Sequence, residues 1–421
     1  MSAESFPVAV QDPRRFRIEE AFANGVPYET YAWFRAHDPI HTGEPREWGP
    51  PPVFLFRHRD VNRWLRDQRL GKEWSKVFPP ETPLPEPVPD SFHAVANRFM
   101  LFRDPPLHTH LRGLANMAFT PRQVNALRPR IKDLAADLMH DVLAEHGDRA
   151  ADLIMSFAYP LPTLVIAHIL GIPPEDFRRF RRWAGDIAAA IDFPLEGLEA
   201  FVARVDETTR ELSAYLRWIF AQRREEPQDD LISRLIHAES DDGQLDEEEV
   251  VATCILLLVA GHETTVNLIG NGTLALLQHP DQWQRLVSDP GLARTATEEL
   301  LRFDSPVQMT TRVAYEEIDL GGVTIPAGTE VHYMLGSANH DEEVFANPAR
   351  LDITRDVGRI MSFGMGIHFC LGSPLARLEG EIAFETLATV TPNLRLASEA
   401  ITWRPGAVLH GLKELPVLLT A

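Results

Sequence analysis

Cys370 is one of two cysteines in the 421-residue chain, and it lies in a segment punctuated by glycines at 364, 366 and 372. A metal-bound thiolate needs nearby amide donors and a backbone that bends closely around the sulfur, and glycine favours both. A helix predicted from about Pro374 would direct its positive end toward the sulfur and favour the thiolate form. This spacing predicts a metal-bound thiolate. The alternative is a glycine-rich surface turn with an incidental cysteine.

A polar group interrupts an otherwise apolar helical pattern at residues 260–265. Ala260 and Thr264 are four residues apart, so they lie on one helix face. A threonine hydroxyl can bond back to the carbonyl four residues earlier and open the helix locally. Small residues at Ala260 and Gly261 leave room beside an acid, Glu263. The segment therefore predicts a polar site in a core helix, against the alternative of a polar stripe without a function.

Two further pairs of polar residues have helical spacing. His108 and Arg112 are four residues apart, so one helix face can present both. Glu299 and Arg302 are three residues apart and can form an ion pair. Taken alone, such groups are most often solvated surface residues whose interactions contribute little to stability.

The segment from residue 363 to residue 372 resembles the haem-binding loop of the cytochromes P-450, whose pattern is Phe-x-x-Gly-x-x-x-Cys-x-Gly. Phe363, Gly366, Cys370 and Gly372 match every fixed position of that pattern. The resemblance implies that the cofactor is haem b (iron protoporphyrin IX) and that Cys370 is the axial ligand to iron. A thiolate ligand pushes electron density onto haem iron and favours O–O cleavage.

Other cofactor contacts follow from the same resemblance. Residues 104–112 are similar to the family's Asp-Pro-Pro-x-His-Thr-Arg-Leu-Arg segment, which implies that His108 and Arg112 bind haem propionates. Arg312 and His368 match two further propionate-binding positions. The remaining expected cofactor contacts are Ala260, Phe363, Gly364 and Gly372.

The polar segment of the core helix resembles the family's oxygen-activation groove. The resemblance implies that Glu263 is the acid and Thr264 the alcohol of a catalytic pair that guides protons to dioxygen.

The Glu299–Arg302 pair matches the family's Glu-x-x-Arg motif. In the family this is a buried structural pair behind the haem, so we assign it to the fold and not to catalysis. His340 replaces the arginine of the family's Ala-Asn-Arg-Asp segment, which leaves open the residue that completes the charge network. Arg355 is one candidate.

Apolar residues from several segments are expected to form the walls of a substrate pocket. They are Phe99, Leu101, Leu256, Val259, Val307, Met309, Val408 and Leu409. Such walls favour an apolar substrate, for example a terpenoid, a steroid, a fatty acid or a macrolide precursor. The alternative for each residue is plain hydrophobic core.

The elements that must position these residues are mainly helical. The longest predicted helix begins at Asp246, which has capping-box spacing to Glu249, and continues to Gln278. Asp60 is expected to cap a short helix that ends at Trp64. Further helices are predicted from the cap at 120 to 147, and around 161–170, 175–190, 196–222, 295–303 and 374–389. Short strands are predicted at 53–56, 318–320, 323–325 and within 401–419, and a proline-rich loop at 78–89.

The sequence therefore predicts a mainly α protein with a minor β-sheet region. The resemblance implies the cytochrome P-450 fold, with a long central helix over a haem. No break in composition marks a boundary, so we expect a single domain over residues 1–421. Its N-terminal part, about residues 1–100, is expected to be richer in β-structure and the remainder helical.

The charge and the cysteine count restrict partners and location. The net charge of −20 argues against nucleic acid and anionic membrane surfaces as partners. The N-terminus lacks a basic start followed by an apolar core, so no signal peptide is expected. The apolar run that ends at Ala260 is shorter than the roughly 20 residues that span a bilayer. Cys254 lies within that run as a predicted buried free thiol, and a reducing cytoplasm suits both cysteines.

The resemblance implies a monooxygenase that inserts one atom of O2 into an apolar organic substrate by hydroxylation or epoxidation. The chain holds no flavin or nicotinamide fingerprint, so we expect NAD(P)H electrons to arrive through a ferredoxin and a ferredoxin reductase. Two alternatives stay open. A peroxide-driven haem peroxygenase is disfavoured by Glu263 and Thr264, and a non-catalytic haem sensor or carrier is disfavoured by the oxygen groove.

Overall fold

The computed structural model describes residues 22, 25–46, 49–77, 88, 90–116, 119–190, 198–237, 239–240, 243–244 and 246–419. Almost all of the predicted proline-rich loop at 78–89 lies outside these residues. The chain folds into two units. The first comprises Met1–Thr82, Asn271–Cys370 and Ala400–Lys413, and the second comprises Pro83–Gly270, Leu371–Glu399 and Glu414–Ala421. The expectation of a single domain stays a prediction.

Helices dominate the described residues, as the sequence predicts. They are α1 (Tyr28–His37), α2 (His58–Trp64), α3 (Phe92–Ala96), α4 (Leu107–Asn116), α5 (Pro121–Ala126), α6 (Arg128–His146), α7 (Pro160–Leu170), α8 (Phe177–Ala188), α9 (Leu198–Glu225), α10 (Leu231–His237), α11 (Glu247–Gln278), α12 (Pro280–Ser288), α13 (Ala293–Phe303), α14 (Leu335–Ala338) and α15 (Ser373–Val390). A π-helical turn, Ile154–Ala158, precedes α7.

The strands are short and fewer. They are β1 (Ile40–Thr42), β2 (Val53–Leu55), β3 (Leu70–Gly71), β4 (Ala151–Asp152), β5 (Glu239–Ser240), β6 (Gly243–Gln244), β7 (Met309–Ala314), β8 (Ile318–Asp319), β9 (Thr324–Ile325), β10 (Glu330–Met334), β11 (Arg395–Leu396) and β12 (Pro416–Leu418). The prediction of a mainly α protein with a minor β-sheet region is confirmed.

The first unit is organised around a five-stranded sheet in the order β1-β2-β10-β7-β3. β10 is parallel to β2 and antiparallel to β7, and Val331 lies opposite Val53 in the first pairing and Arg312 in the second. Val53, Leu55, Val331 and Tyr333 are all buried in one apolar cluster. The sheet is therefore fixed in register by buried side chains, because a slip of one residue would turn them to the other face.

The second unit is built mainly from helices. α6 packs against both α7 and α15, and a small sheet in the order β11-β12-β4 completes the unit. Thr120 caps α5 as predicted, because its hydroxyl accepts a hydrogen bond from the Gln123 amide at 3.4 Å. The predicted continuous helix from Thr120 is wrong. α5 ends at Ala126 and α6 begins at Arg128, with Leu127 between them.

The long helix α11 begins as the sequence predicts. The Asp246 carboxylate accepts from the Glu249 amide at 2.7 Å, and the Glu249 carboxylate accepts from the Asp246 amide at 3.0 Å. This reciprocal pair is a capping box. By length and composition α11 could cross a membrane, but 78% of its most apolar stretch is buried inside the protein, as in the core helix of a soluble protein.

One local prediction near the sheet is wrong. α2 begins at His58 after Arg57, so Asp60 lies inside the first turn of the helix and does not cap it. An acidic residue in the first turn still interacts favourably with the positive end of the helix, which explains why the sequence signal resembled a cap.

Candidate active site

The cysteine loop folds back on itself within the first unit. The Cys370 amide donates to the Phe363 carbonyl at 3.0 Å, and the Phe369 amide donates to the Gly366 carbonyl at 3.1 Å. A short 3₁₀ turn, Gly366–His368, lies between these two bonds. Cys370 itself is not part of a disulfide and is partly exposed. The backbone bonds therefore hold the loop in a closed shape around a partly exposed cysteine.

Two glycines shape this loop for different reasons. Gly366 has φ +75°, and a Cβ added to it would lie 2.6 Å from the Leu65 carbonyl oxygen at the end of α2. Only glycine fits there, because both the conformation and the space exclude a side chain. Gly364 has φ +63°, but a Cβ there would meet no atom within 4 Å. The loop thus packs tightly against α2 at Gly366 and has open space beside Gly364.

Other predicted cofactor contacts belong to the same unit. Arg312 lies in β7, where its side chain is buried, and its Nη1 donates to the Thr311 carbonyl at 2.8 Å. Phe363 is buried, and its ring centroid lies 6.3 Å from that of Phe369. His368 is half-buried in the 3₁₀ turn. The first unit thus contributes Arg312, Phe363, Gly364, His368 and Cys370.

The second unit contributes the remaining predicted contacts. His108 and Arg112 lie four residues apart on α4, with His108 buried and Arg112 half-buried. The His108 amide donates to the Asp104 carbonyl at 3.0 Å, so the buried Asp104 begins the turn that leads into the helix. Gly372 immediately precedes α15, and a Cβ there would meet no atom within 4 Å.

The middle of α11 carries the predicted polar group. Every residue from 250 to 276 is buried except Ala260, which is exposed, and Gly261 and Thr264, which are half-buried. The Thr264 hydroxyl donates to the Ala260 carbonyl at 2.9 Å. This is the back-bond that the four-residue spacing predicts. This core helix is thus buried from residue 250 to residue 276 except on one short face, which is accessible.

Glu263 lies beside this open face and is buried, with only 7% of its surface exposed. One of its carboxylate oxygens lies 3.8 Å from Nδ1 of the fully buried His262. The ring of His262 meets Tyr159 edge-on, with centroids 4.2 Å apart. No role for His262 follows from the sequence; its contacts identify it as a packing residue that also faces the Glu263 carboxylate.

Four of the predicted pocket residues come together in the first unit. Val307 forms an antiparallel bridge with Leu409, and the Gln308 amide donates to the Val408 carbonyl at 2.9 Å. Met309 packs in the same apolar cluster as Val408. In the second unit, Phe99, Leu256 and Val259 are buried and Leu101 is half-buried. For Phe99, Leu101, Leu256 and Val259, packing in a plain hydrophobic core is the alternative role.

The structural ion pair is confirmed as buried and bidentate. Both side chains are fully buried, with Glu299 accepting from Arg302 Nε at 2.7 Å and from Nη2 at 2.9 Å. Arg355 Nε donates to the same carboxylate at 3.1 Å, as does the Asp352 amide at 3.0 Å. Arg355 therefore completes the network, as the sequence analysis suggested.

A positioning role that the sequence analysis missed belongs to Asn339. Its carbonyl accepts from Arg302 Nη1 at 3.1 Å, and its side-chain oxygen accepts from the Met361 amide at 2.6 Å. Its side-chain nitrogen donates to the hydroxyls of Ser305 and Ser362 at 2.8 Å each. Asn339 thus ties the ion pair to the start of the cysteine loop. Its place within the segment that resembles the family's Ala-Asn-Arg-Asp was the available signal.

The chain was compared with known proteins. A sequence model of the family described as "Cytochrome P450" matches residues 79–289 and 292–388. The "Biotin biosynthesis cytochrome P450" of Bacillus subtilis (strain 168) is 41% identical over 394 residues, which cover 93% of this chain and 95% of that protein. The "Vitamin D(3) 25-hydroxylase" of Pseudonocardia autotrophica is 41% identical over 400 residues, covering 93% of this chain and 94% of that protein.

A solved structure shows the same fold. P450BioI in complex with hexadec-9Z-enoic acid ligated acyl carrier protein superposes with a TM-score of 0.84 at 40% identity, covering 95% of this chain and 99% of that chain. The chain belongs to the cytochrome P450 family. It is a P450 monooxygenase of the soluble bacterial type, and its cofactor is haem b.

The residues present fit this cofactor. A porphyrin supplies four nitrogen ligands of its own, so the protein needs to add a single sulfur donor on an accessible loop. Cys370 is such a donor, because it is a partly exposed cysteine outside any disulfide, on a backbone closed by hydrogen bonds. The open space beside Gly364 suits the close approach of a flat group to the backbone.

The ion-pair network yields a stability prediction. Arg355→Met removes one of the two cations from a fully buried carboxylate, and we expect it to lower the free energy of unfolding by about 2 kcal/mol. Arg285→Met is the matched control, because Arg285 pairs with Asp352 at 3.6 Å and its side chain is 50% exposed. Urea denaturation should show a loss below about 1 kcal/mol for the control. Equal losses in the two variants would contradict the structural role of Arg355.

Proposed function

We propose that this P450 inserts one atom of O2 into an apolar organic substrate, by hydroxylation or epoxidation, and that the Cys370 thiolate would hold the haem iron. The observation that carries the proposal is the open face on α11. A single exposed alanine and a half-buried threonine interrupt a helix that is buried from residue 250 to residue 276, and a buried acid stands next to them.

The cofactor, when bound, supplies the activation of dioxygen at a thiolate-ligated iron. The contribution of Thr264 is to hold a hydroxyl oxygen at the open face of α11. Because its proton is donated to the Ala260 carbonyl, the lone pairs of the oxygen are left to accept a further hydrogen bond. Glu263, one residue earlier, is the acid that replaces protons consumed in the reaction.

The other predicted contacts would hold the cofactor. We assign His108 and Arg112 on α4, Arg312 in β7 and His368 in the cysteine loop to the haem propionates, since each can donate a hydrogen bond to a carboxylate. The residues assigned to packing against the haem are Ala260, Phe363, Gly364 and Gly372. Glycine and alanine at these points allow close approach of a flat group.

The substrate is proposed to be apolar. Val307, Met309, Val408 and Leu409 lie together and present only apolar side chains. The names of two relatives agree with this chemistry: one hydroxylates vitamin D3, and another was solved with a carrier-protein-bound hexadecenoic acid. We therefore propose an apolar substrate, for example a terpenoid, a steroid, a fatty acid or a macrolide precursor, which Phe99, Leu101, Leu256 and Val259 would also contact.

Electrons are proposed to arrive from a ferredoxin, reduced by NAD(P)H through a ferredoxin reductase in the cytoplasm. Four arginines at and after α2 are exposed: Arg59, Arg63, Arg66 and Arg69. Arg59 pairs with Glu343 at 3.3 Å and Arg69 with Asp67 at 2.7 Å, so the positive character of this surface rests on Arg63 and Arg66. The Arg66 Cα lies 3.5 Å from a Cβ built on Gly366, so this arginine adjoins the cysteine loop. In a chain of net charge −20, a local group of cations would steer an acidic partner to that loop.

The axial ligand is tested by the spectrum of the reduced protein with carbon monoxide. We expect the native protein to give the band of a thiolate-ligated haem and Cys370→Ala to lose it, because the sulfur is the only side-chain donor proposed for the iron. Cys254→Ala is the control, since this second cysteine is buried and should leave the band intact. A histidine-type spectrum in the native protein would refute the assignment.

The alcohol of the catalytic pair is tested by coupling. Thr264→Ala should lower product formed per NAD(P)H consumed by at least roughly tenfold and raise peroxide release, because proton delivery is impaired. Thr264→Ser should restore coupling. Thr265→Ala is the matched control: Thr265 makes the same back-bond, to Gly261 at 3.2 Å, but is buried. Coupled turnover by Thr264→Ala would exclude the role, and faster turnover with peroxide alone would indicate a peroxygenase.

The electron-donor surface is tested by charge reversal. Arg66→Glu should raise the KM for an acidic ferredoxin about tenfold at low ionic strength, because a steering cation becomes an anion. The effect should shrink at high salt, and kcat at saturating ferredoxin should change little. Arg178→Glu, an equally exposed arginine on α8, serves as the control. Identical KM values in the two variants would place the partner elsewhere.

A further inference from the structure

A small cavity in the first unit lies where two helices end. Leu274 and Gln278 line it from the last two turns of α11, and Phe303, the last residue of α13, lines it from a second side. Ile401 and Trp403 line it from the C-terminal segment of the same unit. Its volume is about 160 Å³. Pockets for drug-sized ligands have roughly 300–1,000 Å³, so this cavity suits a ligand of only a few non-hydrogen atoms.

A buried amide oxygen belongs to this cavity. Asn271 lines the cavity with 1% of its surface exposed, and its Nδ2 donates to the His410 carbonyl at 3.0 Å. Its Oδ1 is buried and accepts no hydrogen bond from any residue that the structure describes. Burying a polar group without a partner is costly. This oxygen therefore needs a hydrogen-bond donor that the described residues do not supply.

A carboxylate gives the cavity its charge. Among the described residues that line it, Asp304 alone is charged. Oδ1 of Asp304 accepts from the Tyr28 hydroxyl at 2.9 Å and lies 3.4 Å from Nε2 of His410, so the carboxylate is held in place. Oδ2 forms no hydrogen bond within the described part of the chain, so it is available to a ligand. The carboxyl ends of α11 and α13 also favour a positive charge here, because the helix dipole is negative at that end.

Aromatic rings form part of the cavity wall. Trp403 stacks one face of its ring on His410, with centroids 4.1 Å apart, and it lines the cavity together with Phe303. The faces of aromatic rings attract cations, and tryptophan does so most strongly. Leu274 and Ile401 add apolar surface without a charge. The wall thus combines two hydrogen-bond acceptors, one negative charge and two aromatic rings.

We propose that this cavity binds a small guanidinium compound. A guanidinium is planar, so it can stack on the Trp403 ring while its N–H groups donate to Asn271 Oδ1 and Asp304 Oδ2. A metal ion fits less well, because the described residues contain no group of three or more His, Cys, Asp or Glu side chains that could hold one. The described lining residues include none of the proposed haem or substrate contacts, so this inference does not rest on the proposed function.

Fluorine NMR of the full-length holoprotein labelled with 5-fluorotryptophan tests the site directly. The chain has eight tryptophans, and Trp403→Phe identifies the Trp403 resonance by its loss. Titration with methylguanidinium chloride should move this resonance along a saturable curve with a Kd on the order of 1 mM. Methylguanidinium stays protonated at neutral pH and therefore does not bind the haem iron. Methylurea, which has the same shape without the charge, should bind at least about tenfold more weakly.

Substitution of the carboxylate tests its role in the site. Asp304→Asn should raise the Kd for methylguanidinium at least about tenfold, because the anionic partner is lost. Asp281→Asn is the matched control. Asp281 follows the same end of α11 but is exposed and accepts from Gln282 Nε2 at 2.7 Å, so the Kd should change less than about twofold in this variant.

Three outcomes would overturn the proposal. A Trp403 shift that does not saturate would leave the cavity to water, and equal shifts of all the tryptophan resonances would indicate general attraction to an acidic protein. Equal binding of methylurea by the native protein would remove the role of charge, and this comparison requires no variant to fold. Unchanged affinity in a folded Asp304→Asn protein would exclude the carboxylate in the same way.

Discussion

The buried ion pair between Glu299 and Arg302 is the interaction on which the active-site scaffold of the first unit depends. Neither side chain is exposed, so neither charge is solvated by bulk water. Burying a charge is tolerated only where paired charges and hydrogen bonds replace that water. The Glu299 carboxylate meets this demand with Arg302, Arg355 and the Asp352 amide, while Arg302 also donates to the Asn339 carbonyl. Each partner is therefore held in position, because losing it would leave a buried charge without compensation.

Hydrogen bonds of Asn339 connect this ion pair to the cysteine loop. Its amide satisfies the Met361 backbone and the Ser362 hydroxyl, and Ser362 in turn donates to the Leu301 carbonyl at 2.7 Å. The residues that enter the loop are therefore bonded to α13, which carries the ion pair. A loop anchored in this way can leave its sulfur accessible, because its shape is maintained at its base and by Gly366 against α2.

The features that sequence predicted well depend on local spacing. The Asp246–Glu249 capping box and the Thr264 back-bond join residues three or four positions apart, so the helical period alone specifies them. The haem contacts came from resemblance to a family and stay predictions. The pairing of Leu70 with Ala314 joins residues 244 positions apart, and nothing in either segment specifies that register. The break at Leu127 was missed because apolar residues continue at helical spacing through it.

His340 stands where the family's segment has an arginine, and this exchange changes the charges around the Glu299–Arg302 pair. His340 is buried and its Nε2 lies 2.8 Å from the Phe303 carbonyl, with its ring stacked on Tyr28 at 4.1 Å. Burial, together with the charges of Arg302 and Arg35, lowers the pKa of His340 to about 4, although the hydrogen bond to Phe303 and the charge of Asp304 oppose the shift. The ring is therefore neutral at pH 7 and donates its Nε2 proton to the carbonyl. Glu299 already binds two arginines, Arg302 and Arg355. A neutral donor at position 340 therefore avoids burying a third cation beside the same carboxylate.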